Sequence, residues 1–271
     1  MRRRHLLALV GSLVAGSGCT GTSGEPTADG TVTPAPVPSP SDAPTTPDST
    51  GDVEITAAAV QPGIVQPRID SIGVTDDAGQ YLVVDVAGNA PDRSDIELRF
   101  SGASYLPEEL RRPLYRGDFS GETYGEDGGP LVFGLPETGD ATDAELYWGE
   151  GRWAPSAETV ERLEDPLPPF SVTLDGPETA GAGSNPQVTI TVTNEGEGAG
   201  RYVLALNRQG PRVAYTPVGR LAGELDPGAS KRHTVDAVPP DGDRSTQYTL
   251  DVPGRQDRLR HVISSADGDD A

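Results

Sequence analysis

Short runs of alternating apolar and polar residues, separated by glycine and proline, constrain this chain more than any other feature. Val188, Ile190 and Val192 alternate with threonines, and Leu204 and Leu206 continue the pattern in the next run. A period of two places every second side chain on one face of a β-strand. The 34 glycines and 26 prolines interrupt helices and form turns. The sequence therefore predicts a mainly β protein, built as two antiparallel β-sandwich units.

Proline-rich stretches set the expected domain boundaries. A β-rich domain is predicted over 52–168, ending in the stiff Pro166-Leu167-Pro168-Pro169 segment. Evenly spaced short strands then predict an immunoglobulin-like sandwich over 169–264, which is about the size of one such domain. A short acidic tail, 265–271, follows.

Two short helices and a hairpin are predicted within the first domain. Residues 107–112 begin with proline, carry acids early and end in arginines, as suits the helix dipole. Residues 157–163 follow Ser156, a favourable N-cap. The alternating runs on either side of the turn residues 76–79 predict a β-hairpin.

The N-terminus, residues 1–18, has the pattern of an export signal. Arg3 and Arg4 precede an apolar run of about ten residues, roughly half of what a bilayer-spanning helix needs. Small residues then precede Cys19, the only cysteine, which excludes an internal disulfide. We expect cleavage before Cys19 and lipid attachment to its thiol; the alternative is a buried free thiol.

These residues resemble two known export motifs. Arg3-Arg4-His5-Leu6-Leu7 looks like the core of twin-arginine signals, and Gly16-Ser17-Gly18-Cys19 resembles a lipobox, although with glycine where an aliphatic residue is usual. With the acidic, lysine-poor composition, they resemble secreted lipoproteins of halophilic archaea. The resemblance implies an extracellular protein, anchored by lipid to the outer face of the cytoplasmic membrane.

Residues 19–51 are predicted to form a disordered stalk. The segment is rich in Thr, Pro and Ser, and after Cys19 it contains no aromatic residue, lysine or arginine. Such a composition offers nothing to bury, and its proline-rich stretches favour an extended chain. We therefore expect a tether between the lipid and the β domains.

Charge excludes one class of function and predicts a habitat. The chain has 42 acidic and 21 basic residues, a formal net charge of −21, and Lys231 is its only lysine. Nucleic-acid binding needs the opposite sign, so we expect no nucleic-acid partner. Such acidity is tolerated best in concentrated salt, where repulsion is screened. A genome that favours arginine codons is an alternative explanation for the scarcity of lysine.

The second β domain also resembles a known family. Val188-Thr189-Ile190-Thr191-Val192-Thr193-Asn194-Glu195-Gly196, followed downstream by Leu225-Asp226-Pro227-Gly228, looks like CARDB and related immunoglobulin-like surface domains over 170–263. The resemblance implies a fold that serves as spacer, adhesin or recognition module alike.

Motifs for catalysis or cofactor binding are absent from the sequence. It contains no Gly-x-Ser-x-Gly elbow, and Gly228 stands where a Ser-x-x-Lys motif would need serine before Lys231. His233 and His261 lie on predicted strands, outside any zinc-binding spacing. Carboxylate clusters such as Asp76-Asp77 lack the order of a calcium loop. We expect no catalytic residue, metal or cofactor.

One region combines aromatic residues with arginines. Both tryptophans, Trp148 and Trp153, lie there together with Tyr115, Arg116 and Arg152. Aromatic and arginine side chains are common in recognition surfaces. These five residues are a candidate partner or ligand surface; the alternative is that the aromatics fill the core of the first domain.

The sequence favours a non-enzymatic, lipid-anchored surface protein for interaction or envelope architecture. Its partners would be the membrane, through the lipid on Cys19, and a surface protein or small ligand. One alternative is a ligand-binding module of an envelope transport or sensing system, and another is a hydrolase in the first domain. A deep pocket with convergent polar groups would favour the ligand-binding module or the hydrolase. Closed sandwiches with flat polar faces would favour the non-enzymatic surface protein.

Overall fold

The computed structural model describes residues 53–118, 120–181 and 183–266. The predicted signal peptide, Cys19, the stalk and residues 267–271 of the acidic tail lie outside these ranges. Within them, no helix is long and apolar enough to cross a membrane.

The N-terminal group of strands forms three antiparallel sheets, with the orders β1-β4-β7, β6-β5-β8-β9 and β2-β3. Its strands are β1 (Val53–Gln61), β2 (Ile64–Pro67), β3 (Ile72–Thr75), β4 (Gln80–Gly88), β5 (Ile96–Phe100), β6 (Ala103–Tyr105), β7 (Gly128–Leu135), β8 (Glu145–Trp148) and β9 (Gly151–Trp153).

The core of this group lies between its two larger sheets. Leu82 and Val84 of β4 pack there with Leu98 of β5 and Leu146 of β8, all buried. The alternate residues of β4 are buried on its other face, where Tyr81 joins a smaller apolar cluster. β4 is therefore a central strand with both faces covered, which accounts for its nearly continuous apolar sequence.

Of the two short helices predicted in the first domain, the one over 107–112 is wrong, because these residues are not helical. Among the described residues, the structure has one α-helix, α1 (Ala157–Glu164), and one 3-10 turn, Arg93–Asp95. The Glu108 N–H donates to the Val132 carbonyl of β7 at 2.7 Å, so this backbone group bonds to a distant strand and not within a helix. A six-residue helix cannot offset its own nucleation cost without packing of its own.

Helix α1 itself was correctly predicted. The Ser156 hydroxyl accepts a hydrogen bond from the Thr159 N–H at 3.2 Å, as an N-cap should. Leu163 anchors the helix in the N-terminal core.

The predicted hairpin around 76–79 is also wrong. β3 pairs with β2, whereas β4 pairs with β1 and β7. A Cβ on Gly79 would lie 2.2 Å from the Glu137 nitrogen, so the turn is packed against the chain that follows β7. The apolar strand β4 pairs with the longer strands β1 and β7, and not with β3, which precedes it along the chain.

The C-terminal group is a two-sheet sandwich, with the orders β10-β12-β15 and β11-β17-β16-β13-β14. All of its strand pairs are antiparallel except β11 with β17. Its strands are β10 (Phe170–Asp175), β11 (Thr179–Ala180), β12 (Gln187–Asn194), β13 (Gly200–Gln209), β14 (Thr216–Leu225), β15 (Ser230–Asp236), β16 (Thr246–Asp251) and β17 (Leu259–Ser265).

Alternating residues of β12 and β13 fill the core of this sandwich. Val188, Ile190 and Val192 meet Leu204 and Leu206 there, each at most 1% exposed. The mainly β, antiparallel sandwich architecture predicted from the alternation is confirmed.

Strand β13 also joins the two groups. Its Val203 and Ala205 point away from the C-terminal core and pack with Val65, Ile72 and Tyr115 of the N-terminal group. Because both faces of β13 are buried, the two groups hold a defined geometry at this contact, and the space beside it has fixed walls.

Candidate functional site

A cavity of about 380 Å³ lies where the two groups of strands meet. Its walls come from β1, the Leu114-Tyr115-Arg116 segment, helix α1 and strands β13 and β14. Ala57, Ala58 and Ala59 of β1 form part of the lining, directly after a break in strand register between Ile55 and Ala57. Methyl side chains at three successive positions leave room that larger residues would fill.

Three of the five residues proposed from the sequence line this cavity: Tyr115, Arg116 and Trp153. Tyr115 and Trp153 are also buried, at 6% and 2% exposure. The core and ligand-surface interpretations of the sequence are therefore compatible for these two aromatics, because a buried side chain can also form a cavity wall.

Trp148 and Arg152 do not line the cavity. Trp148 is buried in the N-terminal core, and its indole covers Gly151, where a Cβ would lie 2.1 Å from the indole nitrogen. The exposed Arg152 guanidinium lies 3.8 Å from Glu145. Adjacent residues of β9 point to opposite faces, so Arg152 and Trp153 cannot serve one site.

Arg116 is held at the cavity by two carboxylates. Its guanidinium lies 2.7 Å from Asp85 of β4 and 3.3 Å from Glu122. Only 28% of the side chain is exposed, so these contacts are partly shielded from solvent. The arrangement fixes the position of the guanidinium while its other N–H groups keep donor capacity.

Arg162 of α1 and Arg201 of β13 share one carboxylate. Arg162 donates to both oxygens of Glu224, at 3.1 and 2.9 Å, and to Glu158 at 2.9 Å. Arg201 Nη1 lies 3.9 Å from the same Glu224. The Arg162 and Arg201 side chains are only 17% and 12% exposed, whereas Glu224 is 44% exposed, so the guanidinium groups are shielded from water more than the carboxylate between them.

The cavity is close to neutral in a strongly acidic chain, since Glu122, outside the lining, also contacts Arg116. Its lining contains four arginines, Arg116, Arg162, Arg201 and Arg220, but only three carboxylates, Asp85, Glu158 and Glu224. The whole chain has twice as many acidic as basic residues. Arginine has donors and no acceptor, so the cavity is rich in donor groups.

Two aromatic side chains add polar hydrogens to this lining. The Trp153 indole N–H is buried and makes no hydrogen bond to another described residue. Burial, with a smaller effect from the Asp118 charge, raises the pKa of Tyr115, so its phenol keeps its proton. A buried donor without a partner costs about 1–3 kcal/mol.

Most of the polar lining was missed by the sequence analysis. Arg162 lies in α1, shortly after the aromatic region, but Arg201, Arg220 and Glu224 lie in β13 and β14, far from it along the chain. The one local signal was Glu158 four residues before Arg162, a spacing that places both on one helix face. These polar residues come together only because β13 packs against the N-terminal group of strands.

The described residues contain no group of three or more His, Asp or Glu side chains placed to hold a metal ion. Neither His233 nor His261 lines the cavity. His233 Nε2 lies 2.7 Å from the Tyr202 hydroxyl, and burial lowers the pKa of this imidazole. His261 Nε2 lies 3.0 Å from the Pro177 carbonyl. Both rings have structural partners on their own sandwich.

No protein-family model and no curated protein matches the sequence. Similar solved structures include a β-glucosidase from Listeria innocua in complex with glucose, at 14% identity and a TM-score of 0.31, covering 39% of this chain and 17% of that one. A β-D-glucoside glucohydrolase from Trichoderma reesei matches at 21% identity and a TM-score of 0.29, covering 38% and 19%.

A CARDB domain from Pyrococcus furiosus, in complex with di-metal ions, is also a structural neighbour. It matches at 18% identity and a TM-score of 0.29, covering 36% of this chain and 94% of that one. At these TM-scores the similarities establish neither a family nor an activity.

Proposed function

We propose that this protein is a non-enzymatic, lipid-anchored module of the cell surface that binds a small ligand in the cavity between its two groups of strands. The observation that carries the proposal is the cavity itself, with about 380 Å³ of space and a polar lining that converges from separate elements. Ligand sites commonly have volumes of about 300–1,000 Å³ and lie where domains meet.

The lining supports binding more than catalysis. It contains neither histidine nor cysteine. Its Ser156 hydroxyl is engaged as the cap of α1, accepting from the Thr159 N–H. A hydrolytic nucleophile needs an adjacent base, and the lining carboxylates instead contact arginines.

Trp153 offers a direct test of ligand binding. Trp148→Phe leaves Trp153 as the only tryptophan, at the cavity wall. We expect a compound that enters the cavity to change the fluorescence of this variant, because it alters the surroundings of the indole. A chemically diverse compound set would be screened at a salt concentration where circular dichroism shows the folded protein.

The matched control is Trp153→Phe, in which Trp148 reports from the N-terminal core. A cavity ligand should leave its emission unchanged. If no compound alters Trp153 emission, or if every active compound alters both variants equally, the binding proposal is wrong, and a role in envelope architecture or protein interaction becomes the better interpretation.

The surface location is proposed from the resemblance at the N-terminus. Cleavage before Cys19 and lipid attachment would anchor the protein outside the cell. Mass spectrometry of protein extracted from membranes should show a lipid-modified N-terminal Cys19, and Cys19→Ser should release the protein from the membrane fraction. An unmodified Cys19 in an uncleaved chain would overturn this proposal.

A further inference from the structure

We infer that the ligand of this cavity is a small organic anion with an oxyanion head group, carboxylate or phosphate, and an apolar body. This inference depends on the proposed function, since it names the chemistry of the same site. It concerns the arginine-rich end of the cavity, where Arg162 and Arg201 lie at Glu224.

Glu224 shows which head group the arginine-rich end accepts. Its carboxylate receives two hydrogen bonds from Arg162 and lies 3.9 Å from Arg201. The paired N–H groups of arginine match the two oxygens of a carboxylate or phosphate. A ligand oxyanion could therefore replace Glu224 as the acceptor, since the Glu224 side chain is 44% exposed and has solvent beside it into which it could turn.

The charge balance favours an anion over a neutral or cationic ligand. The four arginines face the three lining carboxylates and Glu122, so the cavity is close to neutral in an acidic protein, and movement of Glu224 away from Arg162 would leave positive charge for a ligand anion. Arg162 and Arg201 are mostly buried, so their attraction for an anion is screened less than that of exposed charges.

The remaining wall determines what the rest of the ligand must be. Val60, Val65, Val83, Leu114 and Trp153 present apolar surface to the same cavity. Burial of an apolar body against these side chains adds affinity in proportion to the area covered. Inorganic phosphate or sulfate would leave this wall unused, so an organic anion fits the whole lining better.

Three probes separate the parts of this inference: phenylacetate, phenyl phosphate and the neutral phenylacetamide. Titration calorimetry should show phenylacetate or phenyl phosphate binding at least about tenfold more tightly than phenylacetamide, a difference of about 1.4 kcal/mol. The measurement belongs at a salt concentration near molar, if the protein is folded there, because long-range attraction is then screened and only direct contacts discriminate. The ratio of the first two affinities tells a carboxylate site from a phosphate site.

Two substitutions at the arginine-rich end should act in opposite directions. Arg162→Gln removes a guanidinium that would hold the head group, and should weaken phenylacetate binding about tenfold or more. Glu224→Gln keeps the side-chain shape but removes the competing carboxylate, and should tighten it. Arg162→Lys, which keeps the charge but loses the paired donors, gives a second loss variant if Arg162→Gln does not fold. Arg255→Gln, on an exposed turn outside the cavity, should leave binding unchanged.

The outcomes distinguish this inference from the proposed function. If the three probes bind equally, or if none binds while Trp153 fluorescence detects a neutral ligand, the anion inference is wrong and the binding function stands. If Glu224→Gln weakens phenylacetate binding as much as Arg162→Gln does, Glu224 is part of the binding surface, and its replacement by the ligand is excluded. If no compound of any chemistry affects Trp153, both fail.

Discussion

At the scale of single residues, Asn207 links the two groups of strands by two hydrogen bonds. Its side chain is fully buried. Its Oδ1 accepts a hydrogen bond from the Ile72 N–H, and its Nδ2 donates to the Ile72 carbonyl, each at 2.8 Å. One amide thus supplies the donor and the acceptor that a neighbouring strand would otherwise give to β3.

Asn207→Ala should therefore destabilise the protein strongly. It leaves the N–H and C=O of Ile72 without partners at a buried contact, at a cost of about 2–4 kcal/mol in the free energy of unfolding. Urea unfolding followed by circular dichroism measures this. Asn89→Ala, at an exposed position, is the control and should change stability by less than about 0.5 kcal/mol. Equal effects of the two substitutions would show that the Asn207 contact contributes nothing.

Single residues also show how far the sequence could predict the site. Tyr115 and Trp153 were found because aromatic residues are scarce here and cluster along the chain. Arg201 and Glu224 gave no local signal, since each looks like a solvent-facing residue of an ordinary strand. They become part of a cavity only because Val203 and Ala205 of β13 dock on the N-terminal group, and that docking depends on pairings between distant segments.

At the scale of elements, local patterns predicted best where the local interactions decide the structure. Helix α1 has its own cap and its own buried residue, so its limits could be predicted from the sequence. The segment 107–112 also has favourable terminal charges, but these stabilise a helix by only tenths of a kcal/mol. The hydrogen bond from the Glu108 N–H to the Val132 carbonyl contributes more, and the segment is not helical.

Strand existence was predicted more reliably than strand pairing. Alternation located β3 and β4, but it cannot tell which neighbour each strand chooses. β4 is apolar on both faces and so takes the centre of a sheet between β1 and β7, which forces β3 to pair with β2. The β2–β3 hairpin then becomes the element that contacts β13, so the position of the cavity follows from a pairing that the sequence did not reveal.

At the scale of the whole molecule, the net charge of −21 is the dominant feature. Removal of residues 1–18 would also remove three arginines and no acid, making the mature chain more acidic still. Repulsion among so many carboxylates opposes compaction in dilute buffer, whereas at about 1 M salt the Debye length falls to about 3 Å and the repulsion is screened. Glu108 gives a local example: burial raises the pKa of its carboxyl, and the nearby Asp77 charge raises it further.

We therefore predict that the mature domain folds cooperatively only above roughly molar salt. The raised pKa of Glu108 predicts a second effect, because the folded state then holds this proton more tightly than the unfolded chain does. Glu108 should therefore add stability at low salt as the pH falls below 7, whereas the lowered pKa of His233 should remove some over the same range. Comparison with Glu108→Gln, which cannot gain the first contribution, isolates it. Far-ultraviolet circular dichroism during thermal unfolding, over a grid of salt and pH, measures both effects. Sucrose, which does not screen charge, is the control and should not replace the salt at pH 7. A native spectrum with cooperative unfolding in dilute buffer at pH 7 would show that the β cores alone outweigh the repulsion.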